Sequence, residues 1–436
     1  MIGAWALRCG RLLGLVDQVR PAERRAVLLG FLGYFLLLTA SYLLRPVRET
    51  MATVYGVERL HLLFTATFVC TLALSPLFAW CTTRLRLEQL LPGVFLVLAL
   101  CVLGFAALFR ANPHSLLAAG AYYTWYSTIN LLTISVFWTL MVELFSVSQA
   151  TRLFAFIAAG GSLGSIVGAL ATRLLVARVG IEGLLWLAAV LLAALVWLLR
   201  EIEAEKRALQ RHSSEAQPTT MDHALPGNVL DGFLATLRSA FMRNQMWFTT
   251  LMTWANTVAY FVQTDLVARS FNELAQRTEA LADIDLVVNV LSALVLLFGL
   301  GRFVQRFGVT ASLLLNPLMM VAAFVAVALS PTLLMVQGLQ VIRRVAQYAI
   351  ARPAREICFS VVPQVDRYRA KNVADTVVYR TGDVVSAWLQ AGLRGAGFGL
   401  GGTLVFGLLC SGLWGSAAVA LGRAFNRLRS GVAANV

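Results

Sequence analysis

Long apolar runs recur along nearly the whole chain, and they constrain the fold more than any other feature. A helix needs ~20 apolar residues to cross a bilayer, because in hydrocarbon each backbone N–H and C=O must be bonded within the segment. Twelve runs predict such helices: 26–44, 61–80, 90–109, 115–145, 153–173, 181–199, 244–266, 284–301, 309–329, 331–360, 373–393 and 398–421. Composition agrees. Of 436 residues, 59% are hydrophobic and only 13% charged, where a soluble domain carries roughly a quarter charged. The net charge of +14 does not signal nucleic acid, because the basic residues lie between apolar runs and form no solvated patch. A soluble enzyme, a disordered hub and a nucleic-acid-binding protein are excluded, and the lipid bilayer is the expected surrounding.

The strongest punctuation falls in the middle. Residues 200–240 are charged and then rich in Ser, Thr and Pro, as a linker is. The predicted organisation is a cytosolic segment 1–25, a six-helix half 26–199, a cytosolic linker 200–243, a second six-helix half 244–421 and a cytosolic tail 422–436. With the N-terminus inside, cytosolic segments hold 22 Lys and Arg and external loops hold 9, counting Arg173 at the end of its run. That excess places both termini in the cytosol, and the inner membrane is the expected location. The expected class is an all-α polytopic membrane protein of twelve transmembrane helices in two halves, the major facilitator architecture. There each half contains inverted three-helix repeats, with the site at midplane. The turn Gly301-Arg302-Phe303-Val304-Gln305-Arg306-Phe307-Gly308 resembles the loop motif of that fold. The first apolar run follows Arg24 and Arg25 without an early A-x-A site, so no cleavable signal is expected. The six cysteines and four histidines have no disulfide or metal spacing. No cofactor and no metal are expected.

Five arginines (Arg343, Arg344, Arg352, Arg355 and Arg380) fall inside predicted helices. Helices 1, 4, 7 and 10 are equivalent in a three-helix repeat, and each carries a polar stripe at helical spacing. They hold Tyr34, Ser41, Arg45 and Arg48; Tyr123, Tyr126, Ser127, Asn130 and Thr133; Asn256, Thr257, Tyr260, Gln263 and Thr264; and Gln337, Gln340, Arg344, Gln347, Tyr348 and Arg355. An arginine at the bilayer centre costs at least ~2.5–3.5 kcal/mol. Arg343 and Arg344 point ~100° apart, and Arg344 shares the stripe of Gln340, Gln347 and Tyr348. It is the candidate to hold a carboxylate or phosphate through paired hydrogen bonds. The alternative is a structural ion pair with Asp265 or Glu143.

One pattern occurs twice. Helix 1 ends Leu44-Arg45-Pro46-Val47-Arg48-Glu49, and helix 10 ends Ala351-Arg352-Pro353-Ala354-Arg355-Glu356. Arg and Glu are i,i+4 neighbours in each, which allows an ion pair, and each Pro permits a kink. Two charged gates, one per face, are expected; the plainer alternative is arginines snorkelling at helix ends. Gly160, Gly161, Gly164 and Gly168 on helix 5 give small-xxx-small spacing, which lets helices approach closely. A phosphate-cradling loop would need Lys-Ser/Thr and a preceding strand, which are absent. Asp375, Arg380 and Asp383 on helix 11 are either ion pairs or a coupling network. Glu49, Glu143, Asp265 and Glu356 are the proton carriers if transport is proton-coupled.

The segment from Gln347 to Glu356, with Val361-Val362-Pro363 and Tyr368-Arg369-Ala370-Lys371-Asn372-Val373-Ala374-Asp375-Thr376, resembles the ATP/ADP translocases of plastids and intracellular bacteria, and more closely their bacterial relatives. Tyr42 to Glu49, Phe137-Trp138 and Gln149 to Phe154 agree. The resemblance implies a twelve-helix facilitator fold and nucleotide exchange. A family lysine of helix 1 resembles Arg48, and one of helix 10 resembles Arg344. The family's acidic residue of helix 4 falls on Tyr126, and that of helix 7 near Gln263, with Asp265 two positions on. The expected function is therefore secondary transport of an anionic small molecule, nucleotide or otherwise phosphorylated, by a monomer. Arg45, Arg48, Tyr126, Asn130, Tyr260, Gln263, Arg344, Gln347 and Tyr348 would contact substrate. Glu49, Glu143, Asp265, Arg352, Arg355, Glu356, Asp375, Arg380 and Asp383 would gate or couple. The alternatives are a proton-coupled transporter of another anion or a lipid phosphate, and a non-transporting assembly or receptor protein on the same fold. No nucleophile–base pair suggests an enzyme.

Overall fold

A computed structural model describes residues 20, 23–84, 87–212, 240–298, 300–359 and 377–433, and among these the chain is helical with no strand. The helices are α1 Arg24–Tyr55, α2 Leu60–Arg84, α3 Leu87–Ala111 and α4 Leu116–Leu144. The run Val147–His212 is broken at Gly180 into α5 (147–179) and α6 (181–212). There follow α7 Ala240–Ser270, α8 Leu274–Phe298 and α9 Leu300–Leu329. Next comes α10 (333–358), which holds a π-helical turn at Gln347–Ala351. Last are α11 Tyr379–Gly395 and α12 Gly399–Ala433.

The helix ends have local causes. Ser115 and Thr332 cap α4 and α10 by accepting from the N–H of Ala118 and Met335, which satisfies orphan donors of the first turn. Gly397, at φ 88°, ends α11 in the left-handed region. There the Phe398 N–H donates to the Leu393 carbonyl at 3.1 Å and the Gly397 N–H to that of Arg394 at 2.9 Å, a Schellman stop. Gly180 (φ 69°, ψ −179°) and Gly308 (φ 77°, ψ 173°) adopt nearly the same conformation, one open essentially to glycine alone. Gly180, Gly308 and Gly397 mark the α5/α6, α9 and α11/α12 turns. These are the second junctions of successive three-helix sets, as an internal repeat requires.

Several helices run beyond their apolar cores. α1 continues to Tyr55, so the first Arg-Pro-x-Arg-Glu copy lies within the helix, a correction to its expected place at the helix end. The α6 arm continues through the charged residues 200–212, and α12 through the expected tail to Ala433. By length and composition alone, seven helical stretches among the described residues are apolar enough to cross a membrane. Their outer faces expose Leu96, Val97 and Leu100 on α3, Val190 and Trp197 on α6, and Leu409 and Leu413 on α12. Such contiguous apolar surface is costly in water and ordinary against lipid.

The chain divides into two compact units. The first holds residues up to Met51, Cys70–Thr219 and Glu273–Leu286, and the second holds Ala52–Val69, Thr220–Asn272 and Val287 onward. In the first, the α5 glycines let α1 approach backbone to backbone. A Cβ on Gly160, Gly164 or Gly168 would lie 2.4, 2.3 or 2.6 Å from the carbonyl oxygens of Phe31, Phe35 and Thr39. Thr39 donates across this contact to the Gly164 carbonyl at 3.2 Å. The small-xxx-small expectation for helix 5 is met by this geometry. In the second unit, α7, α9, α10 and α12 share a core around Phe248, Phe324 and Trp414. Gly407 of α12 admits Phe324 and Val258, each 2.8 Å from where its Cβ would sit.

Candidate functional site

The first unit builds its polar cluster around a proline. Pro46 has no N–H, so the Tyr42 carbonyl one turn back loses its helical donor. Thr172 of α5 donates to that carbonyl at 3.2 Å. Beside it, the Tyr126 hydroxyl donates to the Ser41 carbonyl at 2.8 Å and that of Tyr122 to Leu44 at 3.0 Å. Thr172 thus supplies the donor that the proline removes, as membrane-embedded prolines require, while Tyr126 and Tyr122 add second donors to carbonyls beside it. The tyrosines are thereby fixed with their ring faces towards one turn of α1.

Arg48 sits over the ring of Tyr126 and that of its neighbour Tyr123. Its guanidinium carbon lies 5.2 Å from the Tyr123 ring centre and 5.7 Å from that of Tyr126. It donates to the Ser127 hydroxyl at 3.3 Å and pairs with Glu49. Aromatic faces attract a cation without neutralising it, so an external anion would compete with Glu49 for the charge. Arg45 lies over the Tyr42 ring and 3.7 Å from Asp285, which is 2% exposed. Arg173 pairs with Asp283 at 2.8 Å, and the hydroxyls of Thr50 and Thr278 are 2.7 Å apart. The first half of α8 is thus fastened to α1 and α5 within this unit. The Glu49 carboxylate is paired with its neighbour Arg48, whereas the sequence spacing pointed to Arg45. Tyr126 and Asn130 line a narrow crevice of about 20 Å3.

The second unit holds a run of side-chain amides. Gln340 donates to the Ala259 carbonyl at 2.8 Å and accepts from Arg343 at 2.7 and 3.0 Å. Asn256 donates to the Gln347 side chain at 3.2 Å, and Thr257 donates to Asp383 at 3.1 Å. Arg344 is buried at 4% exposure, on the stripe of Gln340 and Gln347. Gln347 opens the π turn, which carries Tyr348 and ends before Arg352-Pro353. A π turn absorbs the register shift that a proline forces, and such bulges recur at functional sites. Arg355 is buried, while Arg352, Tyr348 and Glu356 are exposed. Asp265 is held by Arg269 at 3.0 Å and Arg394 at 3.6 Å. Tyr260 packs edge-on against Phe64, and Gln263 is buried.

Within the units, then, Arg45, Arg48, Glu49 and Tyr126 come together in one, and Gln340, Gln347 and Asp383 line the contacts of α7 with α10 and α11 in the other. Glu143 and Arg380 are half-buried and join neither set of hydrogen bonds described above. Asp375 lies outside the described residues. Asp283, Asp285, Arg173, Arg394 and Trp125 were missed in the sequence. An acidic pair at the mouth of an apolar run was the available signal for the first two. Among the described residues, no group of His, Cys, Asp and Glu is arranged to hold a metal ion.

The Major Facilitator Superfamily model matches residues 30–352. No curated protein matches the chain. Among solved structures, the nucleoside transporter NupG is 15% identical with TM-score 0.58, covering 94% of this chain and 99% of its own. A bacterial homologue of the iron transporter ferroportin, in an inward-facing state, is 13% identical with TM-score 0.64, covering 90% and 98%. A D-xylose–proton symporter is 12% identical with TM-score 0.56, covering 89% and 96%. At these identities the likeness concerns the fold.

Proposed function

The chain belongs to the major facilitator superfamily, and from that premise we propose that it moves an organic anion across a membrane by alternating access. Membership makes it a multi-pass membrane protein and a secondary transporter, not an enzyme. The observation that carries the anion is Arg48, a cation seated over the rings of Tyr123 and Tyr126, the latter with its hydroxyl already committed to the α1 backbone. Holding an arginine in an apolar helix is costly enough that its default explanation is function. Arg344 supports the same reading from the second unit. A guanidinium suits carboxylate or phosphate through paired hydrogen bonds.

A nucleotide is the first anion to test, on the sequence resemblance of Tyr42 to Glu49 and Gln347 to Glu356 alone. Arg45, Arg48, Tyr126 and Asn130 in one unit, and Tyr260, Gln263, Arg344, Gln347 and Tyr348 in the other, are the proposed contacts. Glu49, Asp265, Arg355 and Asp383 are the proposed coupling groups. We place the protein in the bacterial inner membrane on the sequence resemblance, as a monomer, with both termini cytosolic on charge asymmetry.

The test is thermal stabilisation of purified protein by nucleotides, phosphate esters, carboxylates and neutral sugars. A ligand at a hundredfold excess over its Kd adds ~2.7 kcal/mol to apparent stability. A shift from an anion that disappears in both Arg48→Gln and Arg344→Gln is the expected result. A shift from neutral solutes alone contradicts the proposal.

A further inference from the structure

Both arginines of the first Arg-Pro-x-Arg-Glu copy are paired with buried carboxylates, but the two carboxylates stand in different places. Glu49 follows Arg48 on α1 itself, so giving up that pair moves no other helix. Asp285 stands on α8, 3.7 Å from Arg45 and 2% exposed. Its pair is one of the ties between the first half of α8 and the rest of its unit. Arg173–Asp283 is shorter at 2.8 Å, yet its side chains are 47% and 38% exposed, and such surface pairs contribute little. The contact of the Thr50 and Thr278 hydroxyls carries no charge. Arg45–Asp285 is thus the buried ionic tie.

That tie lies beside the proposed anion site. The charges of Arg48, Arg45 and Asp285 all act on Tyr126, whose ring Arg48 overlies. At 3.7 Å the Arg45–Asp285 contact is longer than the ~2.7–2.9 Å of a charge-assisted hydrogen bond. A carboxylate or phosphate that bonds Arg45 directly makes the closer contact. It then leaves Asp285 beside a second negative charge, in a place where an uncompensated carboxylate is costly. That cost is relieved when the first half of α8 moves and Asp285 reaches water. α8 passes from the first unit to the second between Leu286 and Val287. A shift of its first half is therefore carried into the second unit along the helix itself.

We propose that Asp285 is an internal counter-ion, which occupies Arg45 and ties α8 to α1 until the substrate anion displaces it. The inference rests on the anion reading above and adds to it a coupling residue and a consequence. The empty protein keeps the tie and stays in one state, whereas the loaded one is released. Transport is then an exchange, with an anion needed on each passage.

The test uses the full-length protein. In nanodiscs of zwitterionic lipid, ATP, glycerol phosphate, inorganic phosphate and citrate are titrated by calorimetry. A pair closed in about nine molecules of ten weakens apparent binding about tenfold, so Asp285→Asn should lower the Kd of the anion that binds by about that factor. Asp283→Asn should change it a few-fold at most. In proteoliposomes, the wild type should take up that anion, labelled, only against an internal anion, and Asp285→Asn should take it up without one. Should Asp285→Asn misfold, a disulfide reports the same tie. Thr50→Cys with Thr278→Cys replaces hydroxyls that are 2.7 Å apart. The link, read by mass spectrometry of the joined peptides, should form several-fold more slowly with saturating anion and should block transport until reduced. Anion binding that Arg48→Gln abolishes, with Kd indifferent to Asp285→Asn or linking indifferent to the anion, overturns the counter-ion and leaves the anion reading. A tighter Kd with uptake still tied to internal anion makes Asp285 a passive charge and overturns the release of α8. Wild-type uptake that needs no internal anion overturns the exchange. If none of the anions binds, both readings fall.

Discussion

The same five-residue pattern folds in two ways. In α1, Arg45-Pro46-Val47-Arg48-Glu49 lies in an uninterrupted α-helix, the Tyr42 carbonyl freed by the proline met by Thr172 of α5, and Glu49 is 4% exposed beside Arg48. In α10, Arg352-Pro353-Ala354-Arg355-Glu356 follows a π turn, and Glu356 is exposed. The proline imposes the same local defect on both. What differs is the supply of donors from neighbouring helices. Where Thr172 reaches the freed carbonyl, the helix keeps its register; at the other copy the backbone itself rearranges into the π turn. A short motif thus sets where a helix is weak, and its neighbours set how the weakness is resolved.

That contrast can be broken most directly at the two glutamates. Glu49→Ala takes a buried carboxylate from half-buried Arg48 and is expected to cost about 1–3 kcal/mol, the scale for leaving a partner unmet. Glu356→Ala, on an exposed position, should stay within ~0.5 kcal/mol. Thermal unfolding of the two variants in detergent decides it, and equal losses would erase the distinction.

Packing gives the next largest difference. Gly164→Ala forces a methyl to within 2.3 Å of the Phe35 carbonyl oxygen, and overpacking of this kind costs ~1–3 kcal/mol. Gly338→Ala in α10 meets nothing within 4 Å. It should be neutral or stabilise by up to ~1 kcal/mol, because alanine is the better helix former.

The hydroxyl of Thr172 sharpens the account of the kink. Thr172→Val removes a donor from the Tyr42 carbonyl and should cost ~1 kcal/mol. In a Pro46→Ala background the helix supplies its own N–H, so the same change should cost less. A double-mutant cycle measures the coupling, and strict additivity would refute the role assigned to Thr172.

The smallest effect lies outside the membrane. Burial of Glu23 works against its ionisation, but hydrogen bonds from Gln149, the Arg20 N–H and Arg152, with the Arg152 charge, hold its carboxyl below its usual range. Its contribution is therefore present above the ordinary glutamate range and lost as pH falls through the lowered value. Glu23→Gln should remove that part of the acid sensitivity between pH 5 and 3, and unchanged acid melting curves would contradict it.

Much of this was legible in the chain. Apolar runs announce helices because bilayer and backbone leave no other solution, and the α5 glycines announce a close contact because only their spacing permits one. Arg48 and Tyr126 stood out as polar residues on the stripes of helices 1 and 4. The partner of Glu49 did not, because i,i+4 spacing says what is possible and the tyrosine cage on Arg48 decides what forms. Asp283 and Asp285 were hidden for another reason. They flank the very start of the 284–301 run of helix 8, so they look like boundary charges until α8 is seen to begin at Leu274. Nor does a sequence show that Leu98 and Leu192, on helices lacking polar stripes, would meet Asn130 across a crevice.

The central claim is anion transport through Arg48 and Arg344. The most direct test is uptake of labelled ATP, inorganic phosphate and a neutral sugar into proteoliposomes, with and without internal anion for exchange. The account predicts saturable uptake of at least one anion, reduced more than tenfold by Arg48→Gln and by Arg344→Gln, and no uptake of the sugar. Sugar uptake, or anion uptake indifferent to both substitutions, would contradict it.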